Sequence, residues 1–248
     1  SRFVIAADGA LSPTAKMAGW AESRMMCPAL EYEIQVPQTD FERLSKSVRF
    51  DIDVVPFGYG WCFPKKNHLS VGVGNFMKAN KKAGNLKDYY QKYLKILQIH
   101  EVTEAQSHGF IIPISQRKDG FVKQNVFLTG DAAGFADPVT AEGISNAILS
   151  GQLVAKALTT SSQSLTDAAA NYTRLLNEQL LPELKTGEKL AQIFYKNKTL
   201  RNLGLKKFGQ QAAEAMTDVF MGDRSYPKDY KASIRRRLGK ALLSGLKV

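Results

Sequence analysis

Cysteine is nearly absent. Cys27 and Cys62 are the only two in 248 residues, and they form no CxxC pair or metal-ligand cluster. That excludes a disulfide framework and suits a reducing compartment rather than secretion. Histidine is as scarce: His68, His100 and His108 lack metal-ligand spacing, and each reads as a turn or surface residue, so no metal is expected. No apolar run approaches the roughly 18 residues of a membrane-crossing helix. No signal peptide, transit segment, internal repeat or low-complexity tract is visible. Negative charge is the minority sign, with 34 Lys/Arg against 23 Asp/Glu and a net charge of +11. The excess concentrates in residues 161–248, which hold 16 Lys/Arg and 8 Asp/Glu. A basic tail can serve nucleic acid, an anionic membrane surface or solubility alone. It carries no zinc-finger or RNP signature, so nucleic acid is the least favoured partner.

What is present is ordinary for a globular protein: 44% hydrophobic and 23% charged residues. The length allows one large domain or two small ones, and a sizeable core. The chain opens Ser1-Arg2-Phe3-Val4-Ile5-Ala6-Ala7-Asp8-Gly9, without an initiator Met and with a β-type run from its third residue. It therefore reads as the later part of a longer gene product.

Residues 3–7 form a short buried strand, followed by a helical turn over 14–19. Leu30, Tyr32, Ile34 and Val36 alternate with Glu31, Glu33 and Gln35, which predicts a half-buried strand. Residues 48–54, 59–63 and 69–76 continue the pattern, and 110–114 adds another strand. Together they predict an antiparallel sheet of four or more strands, with one helix over 86–97. A buried strand at 126–129 precedes a helix over 142–158. In that helix Ala147, Gly151 and Ala155 are small and four apart, a face for close packing. From residue 161 the chain is helical and basic. Its end, from Ser233 through Arg235-Arg236-Arg237 to Leu246, is amphipathic and suits either a membrane surface or a last packed helix.

Three segments carry chemistry. Val126 to Gly134 and on to Ile144 reads as strand, tight small-residue turn, loop and helix start. Glycine and alanine let a bulky ligand approach the backbone, and a helix N-terminus favours negative charge. Asp131, after a buried strand, can bond a sugar or ribityl hydroxyl. The same residues would also make a plain turn. In the second segment, Tyr59, Trp61 and Phe63 alternate onto one face, with Gly72 and Gly74 on the next strand. This is an apolar wall for a flat or greasy substrate, or a core aromatic ladder packed on a helix. The third is the Asp8-Gly9 turn.

These residues carry a resemblance. Gly130-Asp131-Ala132-Ala133-Gly134, with Pro138 and Glu142-Gly143-Ile144, resembles the second flavin fingerprint of FAD-dependent oxidoreductases built like p-hydroxybenzoate hydroxylase. Ala7-Asp8-Gly9-Ala10 with Ser12 resembles their Asp-Gly motif. Tyr59-Gly60-Trp61-Cys62-Phe63-Pro64, then Gly72-Val73-Gly74, is similar to the Tyr-x-Trp-x-Phe-Pro…Gly-x-Gly signature of geranylgeranyl reductases. At this composition the first six positions arise by chance in roughly one chain in ten thousand.

The resemblance covers residues 1 to about 160 and implies the following. The fold is α/β (α+β): a partial FAD-binding domain from 1–22 and 120–160, an antiparallel-sheet substrate domain over 23–119, and a basic helical region over 161–248. FAD would be held by Asp8, Gly9, Gly130, Asp131, Ala132, Gly143 and Ile144, with NAD(P)H or ferredoxin as electron donor. Tyr59 and Trp61 would be catalytic, with Phe63, Pro64, Gly72 and Gly74 lining the substrate. No residue stands out as proton donor, Tyr59 being the nearest candidate. The reaction would saturate C=C bonds of a geranylgeranyl or prenyl group on a lipid, chlorophyll-type or quinone-type substrate. The protein would be cytoplasmic, with peripheral membrane contact through its basic end. Two features depart from the family. The amino-terminal Gly-x-Gly-x-x-Gly half is absent from this chain, which alone would then hold no flavin. Ala141 stands where many relatives have Gly. A FixC-type dehydrogenase, a flavin hydroxylase or halogenase, and a non-catalytic basic membrane-surface or partner-binding module are the alternatives.

Overall fold

The structure is a computed structural model and describes residues 1–76, 84–160, 164–220 and 226. In chain order its elements are β1 (Val4–Ala6), α1 (Pro13–Met17), β2 (Met26–Gln35), α2 (Gln38–Leu44), β3 (Arg49–Ile52), β4 (Gly58–Pro64), β5 (Leu69–Asn75) and α3 (Leu86–Ile96). There follow β6 (Glu104–Pro113), β7 (Val122–Lys123), β8 (Val126–Leu128), α4 (Gly130–Ala133), α5 (Ile144–Thr160), α6 (Leu165–Gln179), α7 (Leu181–Lys196) and α8 (Lys198–Phe220). They form two compact units. One comprises Ser1–Arg24 with the chain from Ile114 onward, the other Met25–Pro113.

The Met25–Pro113 unit is a five-stranded antiparallel sheet in the order β3-β4-β5-β2-β6. Alternation fixes its two faces. Leu30, Tyr32, Ile34, Cys62, Leu69, Val71 and Val73 pack under α3, whose Tyr90 and Tyr93, with Leu97 just beyond, close the core. Gly60 makes room for this: a Cβ there would lie 2.8 Å from the Tyr93 ring. The Tyr93 hydroxyl donates to Asp51 Oδ2 at 2.8 Å. Asn85 caps α3 by accepting from Lys87 N at 3.0 Å.

In the other unit β1 pairs in parallel with β8, and β7 pairs antiparallel with β8. Phe127 and Leu128 are fully buried there among Leu153, Val154 and Ala157 of α5 and Tyr172, Leu175 and Leu176 of α6. The Tyr172 hydroxyl donates to Leu128 O at 2.8 Å, satisfying the end of β8. Ala147 of α5 approaches Gly130, where a Cβ would meet the Ala147 Cβ at 3.1 Å. The rest of the small-residue face stays open: a Cβ on Gly151 would meet nothing within 4 Å and Ala155 is exposed, so the close packing expected along that face is not made among the described residues.

Several boundaries differ from the sequence reading. The strand read at 110–114 is the end of β6, whose first half from Glu104 is mostly polar and exposed and so shows no apolar alternation. The helix read from 142 starts at Ile144, because Ala141 stands in the left-handed region at φ 60° and breaks the approach. Helix α2 follows Pro37 without an amphipathic signal, and β7 and α4 are too short to show a period. Helices α6, α7 and α8 follow residue 161 as expected, whereas the amphipathic end from Ser233 to Leu246 lies outside the described residues. Among the described residues no helix is long and apolar enough to cross a membrane.

Candidate functional site

Each unit carries one group of the candidate residues. In the first, the carboxyl ends of parallel β1 and β8 lead into the Asp8-Gly9 turn and the 130–134 turn. This is the end of such strands where ligands bind in open α/β sheets. Gly9 adopts φ +78°, and a Cβ placed on it would meet nothing within 4 Å, so its outer side is open. The Asp8 carboxylate is pushed up by burial, but hydrogen bonds from the Ser12 hydroxyl (2.6 Å) and Thr14 N (2.9 Å) outweigh this and hold it below the usual range.

The 130–134 turn depends on two glycines. Gly130 lies at φ +51° and Gly134 at φ +84°, and a Cβ on Gly134 would sit 2.3 Å from Ser115 O. Gly130 N donates to Ser150 Oγ at 3.0 Å. Asp131 is half-buried. Desolvation raises its carboxyl above the ordinary range, Arg24 opposes that shift and Glu142 adds to it. Gly143 stands directly beside it: a Cβ there would be 3.2 Å from Asp131 Oδ1. Ile144, the first residue of α5, is 74% exposed.

Sequence reasoning missed what fastens these loops. Arg24 is only 6% exposed, and its guanidinium donates to Ala10 O, Asp131 O and the Glu22 carboxylate. Arg117 donates to Ala132 O at 2.8 Å and Ala21 O at 2.9 Å. Two cations thus hold the carbonyls of the fingerprint turn, and Arg24 ties that turn to the Asp-Gly loop. Neither arginine sits in a motif, so only the folded arrangement identifies them.

The second group lies on the sheet face opposite α3. Tyr59, Trp61 and Phe63 of β4 share that face, as alternation predicts, with Phe50 of β3 opposite Trp61. Ring centroids of Tyr59 and Trp61 are 6.0 Å apart, those of Phe50 and Phe63 5.0 Å. Pro64 ends the strand, paired with Leu69. Gly72 and Gly74 face Trp61 and Tyr59 across the ladder. The room above Gly72 is filled by the Trp61 indole: a Cβ there would meet Trp61 Cζ2 at 2.1 Å. The glycine therefore leaves the room over β5 that the indole occupies.

Beside the indole a groove of about 530 Å³ opens over β2 and β6, lined by Ala29, Glu31, Trp61, His108, Phe110 and Ile112 among others. Glu31 accepts from the Ser70 hydroxyl. Glu31, His108 and Phe110 were not among the residues singled out from the sequence. The alternation that exposes Glu31 on the Trp61 face was nonetheless visible in β2. Cys27 and Cys62 are free and buried, and burial pushes their thiols up to about 12 and about 11. Neither is a nucleophile near neutral pH.

Residues 29–109, the sheet just described, match the family described as the geranylgeranyl reductase catalytic domain. The chain is 30% identical over 234 residues to the chloroplastic geranylgeranyl diphosphate reductase of Arabidopsis thaliana, covering 90% of this chain and 49% of that protein. It is 30% identical over 168 residues to the digeranylgeranylglycerophospholipid reductase of Methanocaldococcus jannaschii, covering 64% and 42%. Its fold is similar to a geranylgeranyl bacteriochlorophyll reductase-like protein from Thermoplasma acidophilum, with a TM-score of 0.68 at 24% identity over 82% of this chain and 53% of that one. The chain spans about half the length, or less, of the curated relatives it matches. With the family match falling on the strands that carry Tyr59, Trp61 and Phe63, the sheet over residues 29–109 belongs to the geranylgeranyl reductase catalytic-domain family.

Proposed function

We propose that this chain supplies the substrate sheet and the ribityl-side flavin loop of an FAD-dependent reductase that saturates C=C bonds in a prenyl chain. The observation that carries the reading is the aromatic wall of Phe50, Tyr59, Trp61 and Phe63, with the indole seated on Gly72 beside an open groove. An extended polyene has no polar handles along its length, so apolar surface and shape are what can hold it.

The residues of the other unit fit FAD. The Asp131 carboxylate takes no hydrogen bond from the described residues, although it is half-buried and raised by desolvation. A hydroxyl of the ribityl chain would satisfy it. Gly9, Gly130 and Gly134 leave backbone without side chains on both turns. FAD, when bound, supplies the hydride. Asp131 would accept from the ribityl chain, and the start of α5 at Gly143-Ile144 would favour negative charge beside it. Arg24 and Arg117 would keep the turn in shape by holding its carbonyls. On the sheet, the four aromatics would exclude water from the double bond and fix its height above the strands. NAD(P)H or reduced ferredoxin would renew the electrons.

Product analysis tests the reading. The full-length gene product, given reductant and a geranylgeranyl substrate, should yield products heavier by one hydrogen molecule per saturated bond. Hydroxylated or halogenated products would assign it instead to another branch of flavoproteins.

A further inference from the structure

The groove beside Trp61 does not end at Glu31. Continuing along β2 and β6, the next pairs on the same face are Glu33 with Gln106 and Gln35 with Glu104. A second depression of about 430 Å³ opens over them, with His68 on its wall. Their lining pairs are consecutive on that face, Glu31–His108 of the first next to Glu33–Gln106 of the second, so the two depressions follow one another along the strands as a trough. At about 3.3 Å per residue, the run from Ile112 to Glu104 is about 26 Å long.

The composition of the trough changes along that length. Its first part presents Ile112, Phe110, Ala29 and the Trp61 indole. Its second presents the carboxylates of Glu33 and Glu104, with Glu31 at the junction. Each carboxylate has a partner of its own. Glu31 accepts from Ser70, Glu104 from the Gln35 amide at 2.8 Å, and Glu33 lies 3.7 Å from His68 Nε2. A carboxylate has about four acceptor sites, so acceptor capacity remains toward the trough. Among the described residues, no lysine or arginine lines either depression. Lys65 and Lys66 stand exposed on the nearby turn but line neither.

That inventory discriminates between head groups. A diphosphate offers only acceptors and several negative charges, and is normally met by Arg, Lys or clustered N–H donors. Here it would face acceptors of its own sign. A hydroxyl offers the donor that the carboxylates lack. We propose that the trough takes a prenyl chain along its apolar half and an uncharged, hydroxyl-bearing head over Glu33, Glu104 and His68, and selects against a diphosphate at that end. This rests on the prenyl reading of the same site and narrows it to one head-group class.

Calorimetric titration of the 248-residue chain tests this with geranylgeraniol and geranylgeranyl diphosphate, each below its micelle concentration. The alcohol should bind at least tenfold more tightly, about 1.4 kcal/mol. The double substitution E33Q/E104Q should narrow that ratio to about threefold by tightening the diphosphate. In the unsubstituted chain, raising salt from about 0.1 M to about 1 M should narrow it in the same direction by screening the repulsion. Diphosphate binding as tightly as the alcohol, or a ratio that neither the substitution nor salt moves, would overturn the head-group assignment and leave the prenyl slot standing. Binding of neither ligand would overturn the prenyl reading itself.

Discussion

Adding one methyl group at Gly72 should dislodge the indole on which the wall is built. A Cβ at residue 72 would lie 2.1 Å from Trp61 Cζ2, 2.5 Å from Cε2 and 2.7 Å from Cη2. Carbon atoms in contact sit about 3.5–4.0 Å apart, so the ring must withdraw by about 1.4 Å or more. The indole is rigid and has Tyr59 and Phe63 on either side, so a small bend cannot absorb this. Gly72→Ala should therefore cost about 1–3 kcal/mol, the usual range for overpacking. Gly74→Ala is the control. Its Cβ would meet Cys27 Sγ at 3.5 Å and Trp61 Cζ3 at 3.7 Å, which are ordinary contacts. It should be neutral, or slightly stabilising through the reduced freedom of the unfolded chain. Urea unfolding followed by circular dichroism reads both. A double-mutant cycle isolates the cause: in a Trp61→Ala background the Gly72→Ala penalty should fall by about 1 kcal/mol or more. A penalty of equal size without the indole would show that the backbone of β5, not the ring, demands glycine, and would refute the reasoning.

Ala141→Gly should stabilise the chain. Ala at φ 60° costs about 1–2 kcal/mol and the added freedom of glycine returns about 0.5–1, leaving a net gain near 0.5–1 kcal/mol and a rise in Tm of about 1–4 °C. Calorimetry checks it, and a fall in Tm would contradict it. Glu22 gives an acid-side signature: its hydrogen bond from Arg24 holds its carboxyl at about 2, below the ordinary 4.5, although burial opposes this. A depressed carboxylate stabilises fully above its unfolded pKa, so this contribution should be lost as pH falls from 4.5 toward 2, and Glu22→Gln should flatten that limb of the stability profile. In the full-length enzyme Trp61→Ala should raise KM for long prenyl substrates about tenfold or more while flavin affinity, followed by fluorescence, changes less. Equal losses of both would make Trp61 a packing residue alone.

The sheet was legible because its strands obey a period of two where one face meets a helix and the other does not. Leu30, Tyr32 and Ile34 against Glu31, Glu33 and Gln35 state the register of β2 before any coordinates. The same rule put Tyr59, Trp61 and Phe63 together, since every second residue of β4 must share a side. It did not extend to β6, whose first five residues are exposed and mostly polar and so carry no apolar signal. Glu104, Gln106 and His108 enter the picture only when β6 pairs with β2. Glycine was half legible. The spacing of Gly72 and Gly74 implied that something bulky needed room above the sheet. That the occupant over Gly72 is the protein's own Trp61 follows from a ladder register that links β4 to β5. Arg24 and Arg117 mark the limit. They recognise carbonyls at residues 10, 21, 131 and 132, which carry no side-chain identity and mostly lie far away in sequence. Apart from the Glu22 carboxylate beside Arg24, their partners are backbone oxygens, and these leave no pattern in a single sequence. Motifs that shape backbone toward a ligand are therefore easier to find than the buried cations that hold the backbone in that shape.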